Sequence, residues 1–207
     1  MPNPPDDLTG FAEALIHSRQ HVAPKRLVAP GPSPEQQQRL FEAAAAAPDH
    51  GQIRPWRFVI VPPAARQRLA DVFALALTDR DPAATPEQID QARDKAHRAP
   101  LLMLAIARLG TTEPDIRPLE RLVSLGAAIQ NLLLYANSLG YGTGLTSGQA
   151  LESARLRTLF ALGTGEEPVC FVNVGTVAKH RPPRLRPTPA MFVSKLAPAA
   201  DDSAAPA

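Results

Sequence analysis

Apolar and polar positions follow two periods along this chain, one typical of helices and one of strands. Apolar residues at three- and four-residue spacing, or a proline at the start, predict helices over 8–18, 33–47, 64–77, 86–96 and 118–139. Short apolar runs predict strands over 56–61, 100–107 and 168–177, with a shorter strand within 141–148. Helices that alternate with a few strongly apolar strands favour a layered α/β domain, with a central sheet covered by helices.

The predicted helix 118–139 is apolar almost all round and carries a small-residue patch at Gly126-Ala127-Ala128. Such a helix is usually buried, in the core or in a dimer interface. The small patch also allows close approach of another backbone or of a flat ligand.

The link between the helix ending at Ala47 and the strand beginning at Trp56 is short and polar. Because Pro48 ends the helix, His50 and Arg54 are predicted to lie in an irregular segment pinned at both ends. Such a segment suits a ligand contact, and an ordinary turn with exposed polar residues is the alternative.

Glycines alternate with small hydroxyl residues in the segment 141–148. This pattern indicates a short strand with an exposed backbone edge, suited to hydrogen-bonding a planar heteroaromatic ligand. A phosphate loop is excluded because the expected lysine and following helix are missing.

Composition indicates a single domain over residues 9–196, with disordered tails at 1–8 and 197–207. No apolar run is long enough to cross a bilayer, and the N-terminus lacks a secretory pattern, so a cytoplasmic protein is expected. Cys170 lies among apolar residues and is interpreted as buried.

The formal net charge of +2 gives no reason to expect nucleic acid as a partner. A basic, proline-rich run at 180–187 is either a solvated strip or a phosphate clamp. It lacks the aromatic residues that stack on single-stranded bases.

Several kinds of protein-supplied chemistry are disfavoured by the sequence. The histidines do not cluster with other ligands, so no metal site is expected. Neither a nucleophile elbow nor a Rossmann fingerprint is present. A bound organic cofactor, or no catalysis at all, is what remains.

Six segments in order resemble the FMN-dependent nitroreductase family, and in particular its short NAD(P)H nitroreductase branch. They are Ser18-Arg19-Gln20-His21, 47–58, 126–134, 140–144, 173–176 and 184–187. The resemblance covers roughly residues 14–195. It implies an α+β fold, a three-layer α/β/α sandwich with a central mixed sheet, and an intertwined homodimer with two FMN sites at the subunit interface.

The resemblance also implies roles for individual residues. Arg19, Gln20 and His21 take the place of the family's phosphate-binding triplet, with Arg184 or Arg186 as a second phosphate contact. His50 and Arg54 match positions that reach the flavin from the partner subunit, and Arg54 is a candidate for the flavin N1/O2 edge. The segment lining the isoalloxazine ring is Leu145, Thr146 and Ser147. The segment facing the nicotinamide nucleotide is Leu125, Gly126, Ala127, Ala128, Ile129 and Gln130.

Gln20 and His21 depart from the family's arginine and hydroxyl residue, so the phosphate site is expected to be weaker, compensated elsewhere or pH-sensitive. The implied activity is hydride transfer from NAD(P)H through the flavin to a nitroaromatic, quinone or similar electron-poor acceptor. One alternative is an FMN-binding sensor or storage module without turnover. Another is a purely structural dimer.

Overall fold

The computed structural model describes residues 6–110 and 115–196. Its helices are α1 (Asp6–Ser18), α2 (Pro34–Ala45), α3 (Arg66–Arg80), α4 (Pro86–Asp94), α5 (Pro118–Ser138) and α6 (Ala154–Leu159). Its strands are β1 (Leu27–Val28), β2 (Trp56–Ile60), β3 (Leu101–Arg108), β4 (Gly142–Thr146) and β5 (Glu166–Val177). The five long predicted helices and the four predicted strands are all present, with bounds that differ by a few residues.

The N-terminal helix begins earlier than the sequence predicted. α1 starts at Asp6, so residues 6–8, which the sequence placed in the N-terminal tail, are helical. Acidic residues are favourable in the first turn of a helix, and Asp7 lies in that turn. The predicted tails at 1–5 and 197–207 lie outside the described residues.

The sheet has the order β1-β5-β3-β2, and β4 pairs with β5. The predicted mixed sheet needs a correction, because the pairings between the described strands are antiparallel. Parallel pairing is represented by an isolated bridge between His21 and Thr143. The physical reason is the helix pair α3–α4, which returns the chain to the end of the sheet where β2 finished, so that β3 runs opposite to β2.

The sheet is covered by helices on both faces. Alternate side chains along β3 point to opposite faces, and each set packs against helices. Leu101, Met103, Ala105 and Ala107 pack in the same core as α2 and α5. Leu102, Leu104 and Ile106 pack in a second core with α3, α4 and α6. Both sets of β3 side chains are buried, which confirms the predicted three-layer sandwich.

Helix α5 is buried on one side only. Leu125, Ala128 and Leu132 belong to the core, whereas Leu119 is 69% exposed and Val123 is 73% exposed. The apolar residues of α5 therefore contribute to two surfaces. One surface packs in the core, and the other is exposed to solvent in a single protomer. Within the described residues, no helix is both long and apolar enough to cross a membrane.

Two arginines tie the connections around the sheet. The buried guanidinium of Arg66 donates hydrogen bonds to the carbonyls of Val61, Ala96 and Pro100, which joins the end of β2 to the segment entering β3. Arg57 on β2 donates twice to the Glu166 carboxylate, both at 2.7 Å, and so joins β2 to the start of β5. These bonds fix the loops at both ends of the sheet.

Candidate functional site

The segment that follows α1 docks against the outer edge of β4. The backbone N–H of Val22 donates to the Thr143 carbonyl at 2.7 Å, next to the His21–Thr143 bridge. A Cβ added at Gly144 would lie 2.2 Å from the Val22 carbonyl oxygen, so only glycine permits this contact. The docking places Arg19, the half-buried Gln20 and His21 beside the edge of the sheet.

The C-terminal basic run meets this segment across more than 160 positions of sequence. Arg186 donates from Nη2 to the carbonyl oxygen of Arg19 at 2.7 Å. Arg26 donates from Nη1 to the Lys179 carbonyl at 2.9 Å. Together with Arg184, whose charge acts on His21, these side chains form what we call the basic cluster: Arg19, His21, Arg26, Arg184 and Arg186.

The electrostatics of the basic cluster favour a bound anion. Burial lowers the pKa of Arg19, and the charge of Arg186 lowers it further. The pKa of His21 is lowered by burial first, and then by Arg184, Arg19 and Arg26. The Nε of Arg19 is buried and has no hydrogen-bond partner in the described part of the chain. Arg19 is half-buried, whereas Arg184 and Arg186 are exposed beside it. A phosphate dianion would satisfy the unpaired Nε donor of Arg19 and offset the repulsion between these positive charges.

A cavity of about 500 Å³ opens where β4 ends. Its floor is apolar and includes Phe73, Leu77, Leu102 and Phe171. Thr146, Ser147 and Gly148 contribute one wall. Asn173 also lines the cavity, and its side chain donates to the Gly144 carbonyl at 3.1 Å and lies 3.2 Å from the Thr146 hydroxyl. Asn173 on the neighbouring strand β5 thereby holds the end of β4 in place.

The basic cluster and the cavity lie along the same strand edge. At the rise of an extended chain, Thr143 and Ser147 are roughly 13 Å apart. An anion on the cluster and a planar group in the cavity could therefore belong to one elongated ligand.

The structure separates the three residues that were predicted to line the flavin ring, Leu145, Thr146 and Ser147, because their side chains do not all point to the same side of β4. Thr146 and Ser147 line the cavity. Leu145 pairs with Val172, whose side chain lies in the core with α2 and α5, whereas Thr146 pairs with Phe171 on the cavity side. Because neighbouring residues of a strand face opposite ways, the Leu145 side chain does not line the cavity, and only its backbone lies on the shared edge.

His50 and Arg54 lie far from the basic cluster within one protomer. The Nδ1 of His50 lies 3.0 Å from the Glu120 carboxylate, in the first turn of α5. At the other end of α5, Asn137 donates to Ser18, the residue before Arg19, at 2.8 Å. Glu120 and Asn137 are roughly 25 Å apart along the helix axis. The structure therefore does not bring the predicted cofactor residues into one site within a single chain.

The segment 49–54 has an unusual backbone. Gly51, Gln52 and Arg54 have φ values of 69°, 53° and 47°, and the Arg54 N–H donates to the Asp49 carboxylate at 2.8 Å. Left-handed conformations cost energy in non-glycine residues and persist where the surroundings impose them, often at functional sites. The predicted irregular link is present, and both the His50 and Arg54 side chains are exposed on it.

Only some of the residues in the segment 125–130 are accessible to a nucleotide. Leu125, Ala128 and Ile129 are buried in the core, with exposures of 1%, 0% and 6%, so their side chains are not available for the predicted contact. Gly126 and Gln130 are exposed and Ala127 is half-buried. These three positions remain a prediction for the nicotinamide nucleotide.

The sequence interpretation missed the polar rim of the cavity, which consists of Arg80, Gln88, Gln91, Lys95 and Arg98. Gln88, Gln91 and Lys95 follow the helical spacing of three and four residues in and just after α4. That spacing was the available signal. It resembles an ordinary solvated helix face, because nothing in the sequence shows that the face borders a cavity.

Known proteins resemble this chain over most of its length. A sequence model described as "Nitroreductase family" matches residues 25–176. A "Putative NAD(P)H nitroreductase" of Haemophilus influenzae is 31% identical over 164 residues, which are 79% of this chain and 88% of the relative. The "Putative NAD(P)H nitroreductase YdjA" of Escherichia coli K12 is 32% identical over 167 residues, 79% of this chain and 86% of the relative.

Solved structures share the fold. A nitroreductase-like family protein from Bacillus cereus superposes with a TM-score of 0.77 at 18% identity, covering 89% of this chain and 95% of the other. The FMN-dependent nitroreductase NfnB from Mycobacterium smegmatis, in complex with NADPH, gives a TM-score of 0.69 at 17% identity, covering 92% and 100%. The predicted nitroreductase-like fold is confirmed.

Proposed function

The chain belongs to the nitroreductase family of oxidoreductases, and from that premise we propose that it is an FMN-dependent enzyme. In this proposal it passes reducing equivalents from NAD(P)H to an electron-poor acceptor such as a nitroaromatic or a quinone. The relatives' names as NAD(P)H nitroreductases support the donor.

The observation that most supports FMN is the basic cluster with the buried, unpartnered Nε of Arg19. Arg19, His21, Arg184 and Arg186 would hold the phosphate through charge-assisted hydrogen bonds. Thr146 and Ser147 would border the ring at the cavity end of β4. When bound, FMN supplies the two-electron redox chemistry that no side chain of the protein provides.

The overall reaction with a nitroaromatic balances without a further reactant. NAD(P)H, one proton and ArNO2 give NAD(P)+, ArNO and water. The chain's own contribution is to bind and orient the planar groups and to exclude solvent, which explains why no catalytic triad is needed.

We further propose that two copies of the chain complete each site. Within one protomer, His50 and Arg54 lie roughly 25 Å along α5 from the basic cluster, so the partner is the means by which they would reach it. Apolar side chains that a partner would cover are exposed on α5 and on the C-terminal segment: Leu119, Val123, Met191, Phe192 and Val193.

Anaerobic mixing tests the proposal against the alternative of FMN binding without turnover. Protein loaded with FMN is mixed with NADH or NADPH, and its visible flavin band is followed. We expect the band to bleach and to return when a nitroaromatic is added. A flavin band that persists with both nucleotides would favour a sensor or storage module.

A further inference from the structure

His21 is the member of the basic cluster whose charge can change near neutral pH. The other four members are arginines, whose guanidinium groups stay protonated throughout the physiological range. An unperturbed imidazole titrates at about pH 6.5, so its charge depends on the groups that surround it. The charge of the cluster is therefore fixed at four positions and adjustable at one.

The backbone holds the imidazole of His21 against the edge of β4. His21 forms a parallel bridge with Thr143, and the neighbouring Val22 N–H donates to the Thr143 carbonyl at 2.7 Å. The Cε1 atom of the ring lies 3.4 Å from the point that a Cβ at Gly144 would occupy. The position of the ring on the strand is thus fixed, while the side chain keeps an exposed edge through which protons exchange with solvent.

The charges that act on His21 within the described residues are all positive. They come from the C-terminal basic run, from the segment after α1 and from the turn before β1: Arg184, Arg19 and Arg26. Strand β4 beside the ring has no ionisable side chain. Partial desolvation, followed by these three charges, lowers the pKa of His21 below its ordinary value. Without an anion the imidazole is therefore neutral at neutral pH.

A phosphate dianion would reverse this balance. Its negative charge would offset the repulsion within the cluster and favour the imidazolium form of His21, which has an N–H donor at both ring nitrogens. The pKa of His21 would then rise on binding, and the ring would take the proton from solvent. The bound state would hold a proton that the empty state lacks.

We propose that FMN binding is coupled to the uptake of a proton by His21. The inference rests on the proposed function and adds a form of regulation of the same site. By linkage, FMN binds more tightly as the pH falls through the pKa that His21 has in the complex, and less tightly as the pH rises above it. The flavin phosphate has the opposite effect, because its second pKa is about 6 and binding of the dianion releases any proton that it carries.

Calorimetric titration with FMN at pH 7, repeated in two buffers of different ionisation enthalpy, counts the protons exchanged. We expect a net uptake of roughly half a proton per FMN, and an affinity that falls roughly fivefold between about pH 6.5 and pH 8. Riboflavin lacks the phosphate and should bind without proton uptake. An equal uptake with the two flavins would overturn the inference.

Two variants assign the proton to His21. His21→Asn removes the titrating group and should abolish the proton uptake. His21→Arg fixes the positive charge and should give an FMN affinity that no longer falls over this pH range. His17→Asn is the matched control, because His17 is an exposed histidine on α1 outside the basic cluster. The control should keep the proton uptake of the unaltered chain.

The outcomes separate this inference from the proposed function. No net uptake in the unaltered chain, or an uptake that persists in His21→Asn, would overturn the inference while FMN binding itself still stands. Should His21→Asn bind too weakly to be titrated, His21→Arg decides, and a pH dependence equal to that of the unaltered chain would overturn the inference. Absence of FMN binding at every pH would instead count against the proposed function.

Discussion

At the scale of single residues, Arg19 combines a buried donor atom, a neighbouring cation and a main-chain contact. Its Nε is buried without a described partner, burial and then the charge of Arg186 lower its pKa, and its carbonyl accepts from that same arginine. Arg186 is thereby held beside Arg19 despite the repulsion between the two charges. An arrangement of this kind is costly until an anion binds between the two guanidinium groups.

Arg19→Ala is expected to weaken FMN binding roughly 10- to 100-fold, because a hydrogen bond to a charged group is removed from a partly buried site. Riboflavin lacks the phosphate, so its affinity should change little. Fluorescence titration with both flavins measures the difference. An equal loss for the two flavins would show that Arg19 does not act through the phosphate.

Glu166 is a second residue whose surroundings determine a measurable property. The hydrogen bond from Arg57 is the main factor that lowers its pKa, to about 2; burial opposes this shift, and the Gly163 N–H, the charge of Arg57 and the hydrogen bond from Arg108 lower the pKa further. The folded state therefore binds a proton at this carboxylate less readily than the unfolded chain does.

The consequence is a loss of stability in acid. Glu166 stabilises the fold fully above its ordinary pKa of 4.5, and its contribution is lost as the pH falls from there towards 2. We expect Glu166→Gln to lower the free energy of unfolding at neutral pH by about 2 kcal/mol. The gap between variant and unaltered chain should close in acid, as measured by urea titration at several pH values. A gap independent of pH would contradict this account.

At the scale of elements, strand β4 connects the basic cluster to the cavity, and the glycine at its centre permits that connection. A Cβ at Gly144 would meet the Val22 carbonyl at 2.2 Å, whereas one at Gly126 on α5 would meet nothing within 4 Å. The segment carrying Arg19 can lie on the strand only while position 144 has no side chain.

Gly144→Ala is therefore expected to displace residues 19–22 and to abolish measurable FMN binding, because the main-chain contact cannot give way without moving the segment. Gly126→Ala serves as the control and should raise the free energy of unfolding by about 0.5–1 kcal/mol, since it lies exposed within a helix. Thermal unfolding and FMN titration of both variants check the pair. Normal FMN affinity in Gly144→Ala would refute the role given to the contact.

The elements that the sequence predicted are those with strong local signals. The capping box of Ser33 and Gln36, with Pro34 in the first turn, marks the start of α2, and the apolar run 101–107 marks β3. The two-residue β1 and the six-residue α6 were not predicted, because elements this short have no detectable period. Strand directions were not available from local patterns either.

The candidate site was less predictable than the fold. The family resemblance named Arg19, His21, Arg184 and Arg186, and the structure brings them together. The orientation of Leu145 could not be predicted, because a shift of one residue in the strand register reverses the face. Arg80 was missed because it is far from the glycine segment in the sequence, and only tertiary packing brings the two to the same cavity.

At the scale of the whole molecule, we propose that each site is completed by two chains. The predicted cofactor residues of one protomer fall at opposite ends of α5, and apolar side chains of that helix are exposed. A second copy would cover that surface and would bring His50 and Arg54 of one chain to the basic cluster of the other.

Subunit mixing tests this arrangement. We expect Arg19→Ala and the double variant His50→Ala/Arg54→Ala each to have low activity alone. Unfolded and refolded together in equal amounts, they should recover about a quarter of normal activity, because half the dimers are mixed and each has one intact site. Each variant refolded alone is the control. No recovery in the mixture would mean that His50 and Arg54 do not act across the interface.

We propose that the basic cluster, the edge of β4 and the cavity together form a site for FMN. Titration of the purified chain with FMN, followed by quenching of flavin fluorescence, tests it most directly. We expect saturation at one FMN per chain and markedly weaker binding of riboflavin. Flavin fluorescence that stays unchanged in an excess of correctly folded protein would contradict it.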